Sequence, residues 1–226
     1  MTHDLTYGVT QGAIRSGPDA GFARRGVIEG FYGTPWSPAE RLDFIDFIGA
    51  RGMNTFAYAP KDASALRHRW REPFSTAELA ELAQLRDACE RWSMRLMVCV
   101  SPGLTISYAN EADVAALARK LDAAVAAGAN DLGLLLDDIP NRLQHPADKD
   151  RFRSLAHAHG ALVNALLATC AADLGGAVGL TVCPTDYCGY GTEEYLVELA
   201  GEIPASVDLF WTGRTICSAT LDVADA

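Results

Sequence analysis

Basic charge is scarce in this sequence: 19 Lys and Arg stand against 29 Asp and Glu, a formal net charge of −10 over 226 residues. A nucleic-acid binder would carry a basic stripe, so the balance argues against that partner. Long apolar runs are absent too. No stretch reaches the ~20 residues that span a bilayer. The opening residues, MTHDLTYGVTQGAIRSGPDAG, offer neither a basic start nor the apolar core of about 7–15 residues of a signal peptide. The expectation is a cytoplasmic chain with no membrane partner. The six cysteines (Cys89, Cys99, Cys170, Cys183, Cys188 and Cys217) show no metal-ligand spacing, since Cys183 and Cys188 are too far apart for CxxC. Free thiols, no metal and no cofactor are therefore expected. A GxGxxG phosphate loop is missing as well, which speaks against a doubly wound dinucleotide-binding sheet.

What is present is alternation. Residues 1–24 show no sustained period and carry five glycines and prolines in close succession, so they read as a loosely ordered leader; residues 25–226 read as one domain. From Arg25 onward, short apolar runs (26–33, 55–61, 95–101, 131–139, 179–185 and 207–213) alternate with amphipathic segments. Runs such as LMVCV and LGLLL are nearly continuous hydrophobics, as strands buried on both faces of a parallel sheet are. Ser37-Pro38-Ala39-Glu40 and Ser75-Thr76-Ala77-Glu78 are capping boxes that open helices, and Asn110 opens a third. A fourth helix is expected over roughly 151–174 and a fifth over 193–201, with Leu42/Ile45/Ile48, Leu79/Leu82/Leu85 and Val114/Leu117/Leu121/Val125 as core stripes of the first three. Regular strand–helix repetition predicts parallel βα units with right-handed crossovers.

The polar residues cluster where each run ends: Gly30-Phe31-Tyr32-Gly33, Ala59-Pro60-Lys61-Asp62, Ser101-Pro102-Gly103, Asp137-Asp138, Pro184-Thr185-Asp186-Tyr187 and Trp211-Thr212-Gly213. A TIM barrel builds its active site from those strand ends. The fold class expected is thus α/β, a (β/α)8-type barrel, apparently incomplete, with about six βα units. Its first and last strands would be open edges that invite self-association. Asp137 and Asp138 follow the apolar strand Leu132–Leu136, an expensive place for two carboxylates. Neighbouring strand residues point to opposite faces, so both reach one pocket only where the strand gives way, near Pro140. Side by side, each raises the other's cost of ionisation, so that one can stay protonated as a general acid. An ion-paired structural pair is the plainer alternative. Lys61 offers a donor for a hydroxyl, and Tyr32, Tyr187 and Trp211 offer aromatic walls suited to a pyranose, or simple rim packing. His68, His145, His157 and His159 lack metal spacing and read as surface or core residues.

Together these strings resemble a family. Gly26–Ser37 (GVIEGFYGTPWS) is similar to the opening strand of family 84 glycoside hydrolases, the O-GlcNAcase group. The likeness continues through Met53-Asn54-Thr55, Tyr58–Asp62, Trp70–Pro73, Ser101–Gly103, Asp137–Ile139, Pro184–Tyr187 and Trp211–Gly213. The resemblance implies hydrolysis of terminal β-linked N-acetylglucosamine from a glycoprotein or glycan. It implies a retaining mechanism in which the sugar's own acetamido oxygen attacks C1, an exception to the two-carboxylate scheme. By position, Asp137 would orient the acetamido N–H, Asp138 would be the acid/base, Gly30 and Lys61 would hold sugar hydroxyls, and Tyr187 would steady the acetamido group. The family also brings a Trp/Asp/Asn-containing segment on strands seven and eight. With six units up to Ala226, a C-terminally truncated barrel is expected, and a catalytically dead glycan-binding or interaction fragment is the alternative.

Overall fold

A computed structural model describes residues 22–220. The leader expected over residues 1–24 lies outside the described residues up to position 21. Six strands, β1 (Gly26–Glu29), β2 (Thr55–Tyr58), β3 (Arg95–Val100), β4 (Asp131–Leu135), β5 (Gly179–Cys183) and β6 (Val207–Leu209), form one sheet in chain order. All five pairings are parallel. The helices between them are α1 (Pro38–Gly49), α2 (Thr76–Glu90), α3 (Glu111–Ala126), α4 (Pro146–Arg151), α5 (Leu155–Thr169) and α6 (Glu194–Glu202). The sheet curls without closing. β1 and β6 are its two edges, and both line one cavity of ≈520 Å³.

Each expected strand begins where its apolar run begins, and each stops short of the run's end. The polar tails are loops that carry the site. Both capping boxes form, with Ser37 and Glu40, and Ser75 and Glu78, exchanging side-chain and backbone bonds. The fourth expected helix is two: α4 and α5 are separated at Phe152–Ser154, where Ser154 caps α5 through His157 N. It also ends at Thr169 rather than near Leu174, because Asp122 Oδ1 and Oδ2 accept from the Ala172 and Ala171 amides and draw the chain out of the helix. Leu79, expected in the core stripe of α2, is 36% exposed, while Leu82 and Leu85 are buried.

The period of two divides the sheet's side chains between two layers. Phe56, Tyr58, Leu96, Val98, Leu132, Leu134, Leu180 and Val182 point outward into the helix layer and form the large core with Ile45, Ile48, Leu117, Leu121, Leu162 and Leu166. Ala57, Ala59, Met97, Cys99, Leu135 and Cys183 form a second, small cluster inside the curl. A Cβ on Gly133 would meet Cys99 Sγ at 2.4 Å, which accounts for a glycine within LGLLL. At the N-terminal end of the strands the inner layer turns polar. Asp131, fully buried, accepts from Arg95 Nε at 2.6 Å and Nη2 at 2.8 Å, and Arg24 reaches Asp131, Thr181 and Asp208. Arg24 thereby links the approach to β1 with β6.

Candidate active site

Period two also explains what stands at the other end of the strands. Continuing the inner row of β2 from Ala57 and Ala59 gives Lys61; continuing that of β4 from Leu135 gives Asp137. The two meet: Lys61 Nζ donates to Asp137 Oδ2 at 2.6 Å and lies 3.3 Å from Asp138 Oδ2. Asp138 should face outward by the same rule. It does not, because its φ of +56° places it in the left-handed region, and the turn swings its carboxylate to the same side as its neighbour. A non-glycine residue held there is strained, a condition that concentrates at functional sites.

The surroundings of the two carboxylates differ. The Asp137 side chain is 11% exposed, and its Oδ1 is buried with no hydrogen-bond partner among the described residues. The Asp138 side chain is 34% exposed and accepts from Tyr32 OH at 2.7 Å, while Arg67 Nη1 donates to the same hydroxyl at 2.8 Å. Partial burial of Asp138 opposes ionisation, but the Tyr32 donor, the Lys61 ammonium and Arg67 outweigh it and lower its pKa. For Asp138 the balance thus favours the carboxylate, against the expectation of a protonated acid there. Burial likewise opposes charge on Lys61, yet Asp137 and Asp138 together raise its pKa.

The other expected residues fall around this pair. Gly30 directly follows β1, and the Phe31 carbonyl beside it accepts the Lys61 backbone N–H at 3.2 Å, so Gly30 and Lys61 sit just past adjacent strand ends. Tyr187 packs on the inner cluster, and burial together with Asp138 and Asp137 raises its pKa. Trp211 is not brought in: it lines a separate apolar cavity with Leu196, Val197 and Phe210 beside α6. Of the histidines, His159 is fully buried in the core, and His68 is exposed.

Three supports were not legible as a site. Glu29, on the outer face of β1 and fully buried, accepts from Arg41 at 2.6 and 3.0 Å and from Trp36 N at 3.1 Å. Arg41 in turn donates to Trp36 O at 2.7 Å, so this ion pair clamps the loop that carries Tyr32. The sequence signal for it is a carboxylate inside an apolar strand run. The second support is Tyr108–His159–Tyr195, a buried chain at 2.9 and 2.8 Å in which Tyr195 OH accepts from Thr185 N. Thr185 Oγ1 donates to the Leu136 carbonyl at 2.8 Å, fixing the residue before Asp137. The third is the Trp70-Arg71 pair, whose donors to Thr105 and Asp113 tie the loop after β2 to the loop after β3 and to the first turn of α3.

A family profile described as beta-N-acetylglucosaminidase matches residues 25–226. The chain belongs to that family. Protein O-GlcNAcase from Rattus norvegicus is 34% identical over 221 residues, covering 94% of this chain and 24% of that protein. Protein O-GlcNAcase from Mus musculus is 34% identical over 213 residues, covering 90% of this chain and 23% of that one. Among solved structures, a mutant of Thermobaculum terrenum O-GlcNAc hydrolase superposes with a TM-score of 0.79 at 33% identity, covering 87% of this chain and 42% of the other. The chain thus spans about a quarter of the length of the curated relatives it matches. The β-N-acetylglucosaminidase family is a glycoside hydrolase family.

Proposed function

We propose that this chain carries the catalytic half-site of a hydrolase that removes terminal β-linked N-acetylglucosamine from a glycoprotein or glycan. The carrying observation is the unpartnered Asp137 Oδ1, buried at the bottom of the pair. A buried carboxylate oxygen without a donor is costly, and an acetamido N–H is a donor of the right kind to fill it. Asp137 then steers the acetamido oxygen onto C1 and stabilises the positive charge that develops on the ring it forms. The sugar supplies the nucleophile; the protein need not. Asp138, more exposed, protonates the departing oxygen and afterwards takes a proton from the incoming water. Lys61 offsets part of the charge of the two carboxylates and turns one of its three N–H groups to a sugar hydroxyl, with the Gly30 carbonyl accepting from a neighbouring one. Tyr187 stands against the pair to hold the acetamido group.

The open gap between β1 and β6 favours a second reading, a glycan-binding fragment without turnover. The two separate in one experiment: release of 4-nitrophenol from its β-N-acetylglucosaminide, by this chain alone and with a relative's remaining barrel segment added in trans. Turnover lost in Asp137→Asn supports the hydrolase. Saturable sugar binding with no turnover in either mixture supports the binding fragment and rejects the proposal.

A further inference from the structure

Arg67 has no part in the chemistry above, yet it is two hydrogen bonds from Asp138. It follows the short 3-10 turn Ser64–Leu66 after β2, half-buried, with its guanidinium 5.1 Å from the Tyr32 ring centroid. Its Nη1 donates to Tyr32 OH, and Tyr32 OH donates to Asp138 Oδ2. Three segments distant in sequence converge on this line: the loop after β2, the loop after β1 and the end of β4.

We propose that Arg67 is a positioning residue that acts through Tyr32 to hold Asp138 as a carboxylate, prepared for the water-activating half of the reaction. The inference rests on the reading of Asp138 as acid/base. The argument turns on hydrogen-bond direction. A guanidinium only donates, and a tyrosine hydroxyl has one hydrogen and two lone pairs. With Arg67 occupying a lone pair, the hydroxyl's hydrogen is what remains to bridge to Asp138, and that bond is strongest when its acceptor is charged. Without Arg67 the hydroxyl is equally free to accept from a protonated Asp138. Arg67 therefore sets the polarity of the bond, and the clamp by Glu29 and Arg41 sets the place of the loop.

The other charged and titratable groups facing Asp138 are Lys61 from the end of β2, Asp137 beside it and Tyr187 after β5. Lys61 favours the carboxylate; Asp137 opposes it. In the step concerned, the water oxygen bonds to C1 as the bond from C1 to the acetamido oxygen breaks, and the water's proton passes to Asp138. A carboxylate already ordered by Tyr32 is the required acceptor.

The test is the titration of Asp138 in the full chain, by carbon-13 labelling of aspartate carboxyls, with the signal assigned through its loss in Asp138→Asn. Arg67→Met and Tyr32→Phe should each raise the midpoint, by about threefold or more in proton affinity. The double variant should raise it by clearly less than the sum of the two single shifts, and Arg67→Lys should restore part of the shift. A merely structural Arg67 would lower the melting temperature and leave the midpoint in place. An unchanged midpoint in Arg67→Met, or fully additive shifts in the double variant, overturns the proposal. Should Arg67→Met not fold, the Tyr32→Phe and Arg67→Lys titrations decide it, an unmoved midpoint in Tyr32→Phe being the refuting result. Failure of hydrolysis with the relay intact would instead reject the proposed function alone.

Discussion

Asp137 and Asp138 are chain neighbours with different surroundings, and a single backbone angle brings both carboxylates to one side. Their adjacency at the end of an apolar strand was legible in the sequence. The +56° φ of Asp138 was not, because no residue type announces it. If the roles are as proposed, Asp138→Asn in a complete barrel should cost about 10²–10⁴-fold on substrates with poor leaving groups and far less on activated aryl glycosides, which need little protonation. Asp137→Asn should impair both classes, since attack by the acetamido oxygen precedes either. Steady-state kinetics across a series of aryl leaving groups checks this, and equal losses for Asp138→Asn along the series would refute the division of labour. Glu29 was harder to read. It stands inside the very string that marks the family, GVIEGFYG, and its partner Arg41 is not visible as one until the strand and α1 are packed. Removing one member of a buried pair strands the other, at about 3–5 kcal/mol. Glu29→Ala should therefore lower stability by that order in urea denaturation, and should loosen the loop that carries Tyr32.

At the scale of the element, strand starts and helix caps were legible because both are written locally: apolar runs, Ser-x-x-Glu boxes, an Asn before α3. The break between α4 and α5 was not, because it depends on partners brought in by the fold. Asp148 is buried in α4 and accepts from Ser107 Oγ and Ala109 N in the loop after β3, so the short helix is shaped by a contact some forty residues away. His159 in α5 is a similar case. Full burial pushes its pKa from 6.5 down to about 3, with the ring held neutral between Tyr108 and Tyr195. A histidine whose folded pKa lies below its unfolded one binds fewer protons in the folded state, so its contribution is complete above pH 6.5 and declines as pH falls toward 3. At about 1.4 kcal/mol per unit, the chain should lose about 2 kcal/mol between pH 7 and pH 5 from this group. Replacement by Gln, which keeps a donor and an acceptor, should flatten that part of the dependence. Denaturation midpoints measured at both pH values in each protein check it; an equal loss in both would assign the acid sensitivity elsewhere.

For the whole molecule, the decisive feature is a curled sheet whose edges do not meet. β1 and β6 each pair on one side only among the described residues, and the flanks expose Ile28, Phe31, Phe47 and Val197. Unpaired backbone beside apolar surface is a template for another chain, and a barrel removes such edges only by closing. Two features resist association: β6 is only three residues long, and Arg24 bridges to Asp208 across the gap. Neither fills the ≈520 Å³ cavity between the edges, which Val27, Ile28, Ala57, Met97, Leu209 and Phe210 line. Stabilities of domains are only about 5–15 kcal/mol, so inner packing left unfinished weighs heavily. The 226-residue chain alone is therefore expected to associate as its concentration rises and to unfold early and broadly on heating. Ile28→Lys combined with Val197→Lys should shift it toward monomer by placing charge on both flanks. Size-exclusion chromatography over a range of concentrations, with thermal denaturation of the same samples, measures both effects. A monodisperse monomer with a sharp transition and ordinary hexosaminidase turnover would mean that six βα units suffice, and that the sugar's distal hydroxyls need no partners beyond those gathered at Lys61.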